Sequence, residues 1–118
     1  MISPARSTVT LTKKDIRALF SRAKRILRTP GLDILLAKTL HPQGHIVVVT
    51  PRHIGNAPKR NKVRRRLKAI FYERRLFEQP YDVIVIIKKG GAQLNYNSLV
   101  EFVLQAYARA YKEKTDGN

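Results

Sequence analysis

The sequence predicts an α/β fold of the α+β sandwich type, in which three helices pack a small mixed sheet in the order α-β-β-α-β-α. Two observations lead to this class. Three segments repeat apolar residues every three or four positions, as one face of a helix does. Three others are short runs rich in valine, isoleucine and leucine, which are typical of strands. The 118 residues fit one domain, so we expect a single unit over 1–118, ordered from about 8 to 113 before a short flexible tail.

The first helix is predicted to start at Thr12, a good capping residue, and to run to about Leu27. Its apolar side is formed by Ile16, Leu19, Phe20, Ala23 and Leu27. A Pro-Gly pair then ends the helix. Strands are predicted over 32–38 and 46–50, with a turn at 41–44 between them.

Asn56 is the predicted N-cap of a second helix over 57–76, with Pro58 in its first turn. Its apolar stripe consists of Val63, Leu67, Ile70 and Phe71. The unbroken β-branched run at 82–88 is typical of a central strand covered on both faces. A last helix is expected over 98–112. The strand-helix-strand order in the middle of the chain indicates a crossover connection between parallel strands.

Charge is the unusual feature of the composition. The chain has 24 Lys and Arg against 8 Asp and Glu, a formal net charge of +16. Such an excess favours a polyanionic partner, nucleic acid first and an anionic membrane surface second. Segment 52–75 is the most basic part and contains only Glu73 as an acid. An ordinary charge run is usually a solvated face, but the shortage of acids here favours polyanion binding.

The sequence offers no group of residues suited to protein catalysis. Its acidic residues are scattered, whereas protein-catalysed phosphodiester hydrolysis usually needs carboxylates clustered around metal ions. His41 and His45 flank a turn and make an improbable zinc pair. The absence of cysteine excludes disulfides and cysteine-ligated metals and suits a reducing cytoplasm. We therefore expect no catalytic side chain and no cofactor or metal bound by the protein.

Segment 54–68 reads Ile-Gly-Asn-Ala-Pro-Lys-Arg-Asn-Lys-Val-Arg-Arg-Arg-Leu-Lys. It resembles the arginine-asparagine-arginine motif of the bacterial ribonuclease P protein family. Arg60, Asn61 and Arg65 match that motif directly, while Lys62, Arg64 and Lys68 are basic exchanges. Pro58 departs from it, since an aliphatic residue is usual there. The flanks at 11–20 and 82–86 are also similar to the family, and the resemblance extends over about 11–111.

The resemblance implies the protein subunit of a ribonucleoprotein endoribonuclease. In that family the protein binds a catalytic RNA and the 5′ leader of precursor tRNA, and it assists removal of the leader in the cytoplasm. Magnesium is expected at the RNA active site, and no membrane or obligate protein partner is expected. The crossover helix would be left-handed, against the usual rule. The implied RNA-binding residues are Arg52, His53, Asn56, Lys59, Arg60, Asn61, Lys62, Arg64, Arg65, Arg66 and Lys68.

The resemblance also implies a cleft for the single-stranded leader between the first helix and the sheet. The residues expected there are Lys13, Ile16, Arg17, Phe20, Ile34 and Leu36. Ile16 stands where the family usually has an aromatic residue, which weakens base stacking at that position. Phe20 has two interpretations, stacking on a leader base or packing into the core, and the sequence does not separate them.

The alternative to the ribonuclease P subunit is a non-catalytic RNA-binding structural protein, such as a ribosomal component or an RNA chaperone. A DNA-binding domain would require a helix-turn-helix pair or dimer spacing, and the sequence has no sign of either. A membrane-surface helix would need large exposed apolar residues, whereas the apolar stripes here are expected to be buried.

Overall fold

The computed structural model of the protein describes the backbone of residues 11–116 and the side chains of residues 11–112. This part of the chain forms three helices around a four-stranded sheet. The helices are α1 (Lys13–Arg22), α2 (Ala57–Glu73) and α3 (Tyr96–Asp116), and the strands are β1 (Lys24–Arg28), β2 (Leu32–Lys38), β3 (Ile46–Val49) and β4 (Tyr81–Ile87). The predicted α+β class with a small mixed sheet and three helices is confirmed, with one strand more than expected.

The strands lie in the order β1-β2-β4-β3. Strand β2 is antiparallel to both of its neighbours, whereas β3 runs parallel to β4. Helix α2 connects these two parallel strands, as the predicted crossover requires. Strand β4 has a partner on each side, so its β-branched run does form a central strand. The left-handedness of the crossover stays a prediction.

The two faces of the sheet bury separate apolar clusters. On one face, α2 and α3 pack on the alternate residues of β2 and β4 that include Leu32, Ile34 and Val85. On the other face, Leu19 of α1 packs on Leu35 of β2 and its neighbours. Because α1 has only ten residues, it leaves part of this second face accessible, and that uncovered part forms a cleft beside the helix.

Both predicted N-caps are confirmed. The Thr12 hydroxyl accepts a hydrogen bond from the Asp15 amide at 3.1 Å, and the Asp15 carboxylate accepts one from the Thr12 amide at 2.9 Å. This reciprocal pair is a capping box. At α2, the Asn56 side-chain oxygen accepts a hydrogen bond from the Lys59 amide at 3.1 Å. These caps fix the starting points of the two helices that carry the candidate site.

The predicted end of the first helix is wrong. The helix ends at Arg22, because Ala23 adopts an extended conformation and 24–28 pairs with β2 as strand β1. The residues at 26 and 27 fit a helical stripe, but they also fit an edge strand, and pairing with β2 decides between the two.

The other helix ends also differ from the prediction. Helix α2 ends at Glu73 rather than near 76, since Arg75 is left-handed with φ 53° and starts a short turn. Helix α3 begins two residues before the predicted start and continues to Asp116 instead of stopping near 112. The sequence predicts an ordered chain from residue 8 and a flexible C-terminal tail. Residues 8–10 and 117–118, on which parts of these predictions fall, lie outside the described residues. No helix within 11–116 is long and apolar enough to cross a membrane.

Candidate nucleic-acid interface

Helix α2 presents a broad polar face to solvent because its apolar stripe is buried against the sheet. Val63 and Ile70 have no exposed surface, and Leu67 is only 1% exposed. Most of the predicted RNA-binding residues on the helix and in the preceding turn are exposed, namely Arg52, His53, Asn56, Lys59, Asn61, Lys62, Arg65 and Lys68. Three are half-buried on its flanks, namely Arg60, Arg64 and Arg66. These eleven residues belong to α2 and to the turn that precedes it, and we call the surface that they form the α2 basic face.

Arg64 is fixed within the α2 basic face by two neighbours. Its Nη1 donates a hydrogen bond to the Asn61 side-chain oxygen at 3.0 Å. Its Nη2 donates to the hydroxyl of Thr50, which follows β3. The guanidinium is therefore held between the helix and the end of a strand. A positioned, planar guanidinium loses less conformational entropy on binding phosphate than a mobile lysine does.

Arg66 lies on the opposite flank of α2 and has an internal partner. Its Nη1 donates a hydrogen bond to the backbone carbonyl of Leu94 at 3.0 Å. This bond ties α2 to the segment that leads into α3. The same pair of helices is joined further along, where the Tyr96 hydroxyl donates to the Glu73 carboxylate at 2.6 Å and this bond raises the pKa of Tyr96. Arg66 thus has a structural contact that its position in the basic run did not indicate.

Four of the six residues expected in the leader cleft lie on α1, the helix that packs on this face of the sheet. Lys13 and Arg17 are exposed on α1, Ile16 is half-buried, and Phe20 is 38% exposed. Phe20 is thus substantially accessible, which favours the stacking interpretation of this residue over complete burial in the core. Such a ring can stack on a base of any sequence.

The placement of Ile34 and Leu36 in this cleft is wrong. Both side chains are buried in the cluster on the opposite face of the sheet, beneath α2 and α3. Successive side chains of a strand point to opposite faces, so the cleft floor is formed by their neighbours in β2. Leu35 and Ala37 lie on that floor together with Ile84 of β4.

The sheet face that carries the cleft floor also has an ion-pair cluster that the sequence did not predict. Asp33 of β2 is only 7% exposed. Its carboxylate lies 3.2 Å from Arg25 Nε and 2.8 Å from Lys88 Nζ. The sequence predicts a helix through Arg25 and therefore does not predict the position of this residue opposite β2. A charged residue within the otherwise apolar run of β2 was the available signal, because a buried carboxylate requires a partner.

A second buried carboxylate lies at the other end of the sheet. Asp82 is 2% exposed and accepts a hydrogen bond from the His45 amide at 2.8 Å. The His45 ring nitrogen lies 3.3 Å from the same oxygen, and Arg22 Nη2 lies 3.7 Å from the other. Asp82 thereby joins the end of α1 to the start of β3. Among the described residues, no three histidine, aspartate or glutamate side chains are grouped so that they could hold a metal ion.

Taken together, this fold and the two surfaces define a small basic nucleic-acid-binding protein. A family model described as Ribonuclease P matches residues 5–111. The ribonuclease P protein component of Streptococcus agalactiae serotype III (strain NEM316) is 31% identical over 88 residues, which cover 73% of this chain and 78% of the relative. That of Erythrobacter litoralis is 36% identical over 107 residues, covering 85% and 86%. The chain belongs to the ribonuclease P protein family.

Solved structures share the fold. The RNase P protein of Staphylococcus aureus superposes with a TM-score of 0.70 at 14% identity, covering 86% of this chain and 93% of that one. The RNase P protein of Thermotoga maritima gives a TM-score of 0.65 at 23% identity, covering 78% and 87%. At these identities the comparison concerns the fold alone.

Proposed function

We propose that this chain is the protein subunit of ribonuclease P and that it docks on the catalytic RNA through the α2 basic face. The observation that carries the proposal is the concentration of cations on one rigid helix in a member of this family. Arg64 is pre-positioned by Asn61 and Thr50, while Lys62, Arg65 and Lys68 are exposed beside it. Guanidinium and ammonium groups at fixed spacing bind the phosphates of a folded RNA and displace its counterions.

Catalysis is proposed to be carried out by the RNA, with magnesium at the RNA active site. The support is that five of the eight acidic side chains have structural contacts. Asp15 caps α1, Asp33 and Asp82 are buried in ion pairs, Glu73 accepts a hydrogen bond from Tyr96, and Glu78 pairs with Arg75. A carboxylate already bound to a cation or an amide is poorly suited to bind a catalytic metal.

The substrate contact is proposed to be the cleft beside α1, which would hold the 5′ leader of precursor tRNA. Exposed cations at Lys13 and Arg17 can bind leader phosphates, and Phe20 can stack on one base. Ile16 offers apolar contact without an aromatic ring. By holding the leader, the protein would raise substrate affinity and orient the scissile bond at the RNA active site. We place this activity in the cytoplasm and expect no obligate protein partner.

The test is reconstitution of the holoenzyme. Purified protein is mixed with a matched bacterial ribonuclease P RNA and precursor tRNA at low magnesium, and the rate of leader removal is measured. We expect clear stimulation over the RNA alone. Reversal of charge at Arg64 and Arg65 should weaken assembly at moderate salt. No stimulation with a matched RNA would contradict the proposal and would favour an RNA-binding structural protein instead.

A further inference from the structure

A groove lies at the end of the sheet where β1 and β4 begin and β2 ends. It has a volume of about 340 Å³ and is bordered by Ala110 of α3. Its apolar walls include Ile26 and Leu36. Leu36 belongs to the α2/α3 face of the sheet, whereas Ala37, which also lines the groove, belongs to the α1 face. The groove therefore lies at the end of the sheet, between its two faces. No residue of α2 contributes to it.

Three cations line this groove, namely Arg22, Lys24 and Lys38, and none of the described residues lining it is acidic. Arg22 is held in place by two contacts of its Nη2, a hydrogen bond to the backbone carbonyl of Lys38 at 3.3 Å and an ion pair with the buried Asp82 at 3.7 Å. A guanidinium has five N–H donors in a planar fork. The groove therefore combines one fixed, planar cation with two lysine ammonium groups, a set of donors suited to a phosphate.

Tyr81 supplies an aromatic ring to the same groove. The ring is half-buried and is in T-shaped contact with two tyrosines of α3. Its centroid lies 6.3 Å from that of Tyr107 and 5.4 Å from that of Tyr111. These contacts restrict the ring, so a base could pack against it at a low entropic cost. Cations beside an aromatic side chain are the combination that single-stranded nucleic acids require.

We propose that this groove is a second RNA site, which binds one nucleotide of a single-stranded RNA segment. The phosphate would lie between Arg22, Lys24 and Lys38, and the base would lie against Tyr81. The volume is at the lower end of the range for ligand pockets, about 300–1,000 Å³, and suits one nucleotide better than a duplex. No residue of the α2 basic face and none of the leader-cleft side chains of α1 lines this groove, so it gives the protein a separate contact with RNA at the end of the sheet.

The test is an NMR titration of the full chain with a uridine hexamer. We expect the amide signals of Lys24, Lys38, Tyr81 and Ala110 to shift as one group, in addition to the signals of the α2 basic face. In a double variant, Lys24→Glu with Lys38→Glu, the groove signals should stay unshifted while the α2 signals still move. Both lysines are exposed, so the variant should fold, and the dispersion of its spectrum checks this.

Matched variants separate this site from the α2 basic face. Lys62→Glu with Lys68→Glu makes the same charge change on α2 and should leave the groove shifts intact. Tyr81→Phe keeps the ring and should retain groove affinity, whereas Tyr81→Leu should lower it on the order of tenfold or more.

Several results would overturn the second site. The first is that the groove signals do not shift at saturating hexamer. The second is that they still shift in the double lysine variant. The third is that inorganic phosphate or a glutamate hexapeptide shifts them equally. The last result would mean a general anion surface without recognition of a base. Because the titration contains no ribonuclease P RNA and measures no cleavage, its outcome does not depend on the proposed function.

Discussion

The ammonium group of Lys88, which directly follows β4, lies 2.8 Å from the carboxylate of Asp33 in β2. Arg25 approaches the same carboxylate from β1. One buried acid therefore holds two cations, one from β1 and one from the residue after β4, on the sheet face whose cleft is proposed to bind RNA. The arrangement keeps two positive side chains close together in the absence of RNA, although they would otherwise repel each other.

We expect Asp33→Asn to lower the free energy of unfolding, because it leaves Arg25 and Lys88 without their shared counter-ion. Removing one partner of a buried pair can cost about 3–5 kcal/mol, but both cations here are partly hydrated, so we expect about 1–2 kcal/mol. Urea denaturation monitored by circular dichroism measures this. Glu101→Gln removes an exposed carboxylate on α3 and should change the stability little. Equal stability of the Asp33 variant and the wild type would show that the cluster is energetically neutral.

Adjacent arginines of α2 should have different roles. Arg65→Ala should leave stability unchanged and weaken binding to ribonuclease P RNA, reducing the slope of log affinity against log salt by about one. Arg66→Ala should lower stability by about 1–3 kcal/mol, since the Leu94 carbonyl loses its hydrogen-bond donor. Salt-dependent filter binding and thermal denaturation of both variants measure these effects. Similar behaviour of the two variants in both assays would contradict this division.

The capping box of α1 should make stability depend on acid pH. Hydrogen bonds from Thr12 hold the pKa of Asp15 below its ordinary value of 3.8. The folded state therefore binds the proton less readily than the unfolded state does. The stabilisation is complete above the unfolded pKa and is lost as the pH falls through the lowered folded pKa. Asp15→Asn should remove this part of the acid destabilisation, which urea titrations between about pH 5 and 2 would detect.

Thr12→Ala is the matched variant for the capping box. It should lower the free energy of unfolding by about 1 kcal/mol at neutral pH, because the hydroxyl that accepts a hydrogen bond from the Asp15 amide is lost. The acid dependence should persist, since the backbone amide of residue 12 still donates to the carboxylate. A Thr12 variant as insensitive to pH as Asp15→Asn would mean that the hydroxyl, and not the backbone bond, dominates the pKa of Asp15.

Introducing an aromatic ring at Ile16 should strengthen leader binding. Ile16 is half-buried one turn before the exposed Phe20 on α1. Stacking of a second base on an aromatic ring contributes about 1–3 kcal/mol. Ile16→Phe should therefore raise the affinity of the reconstituted holoenzyme for precursor tRNA on the order of tenfold. Mature tRNA, which has no leader, is the control and should bind unchanged. A gain of the same size for mature tRNA would place the new ring outside the leader path.

The sequence predicted the elements that have one dominant signal. The apolar stripe of α2, the caps at Thr12 and Asn56, and the central strand β4 all follow from local patterns, and all are confirmed. The end of α1 could not be predicted in this way, because Ile26 and Leu27 satisfy a helical stripe as well as a strand. Pairing with β2, a contact between separate segments, decides the conformation.

The directions of the β2 side chains are the second feature that was predicted wrongly from the sequence. Residues 32–37 are all buried, so no alternation of apolar and polar residues shows which side chains face α1. The groove at the end of the sheet was also beyond sequence analysis, since its cations and Tyr81 come from separate segments that only the sheet order brings together.

Strand β1 has a further consequence for the free protein. It lies at an edge of the sheet and carries exposed Lys24, Arg25 and Arg28, with a bulge after Arg25. Unpaired edge strands are templates for association between molecules, and charge and bulges are the features that prevent it. A second copy of this strand would bring like charges into register. We therefore expect the protein to resist edge-to-edge aggregation when it is concentrated without RNA.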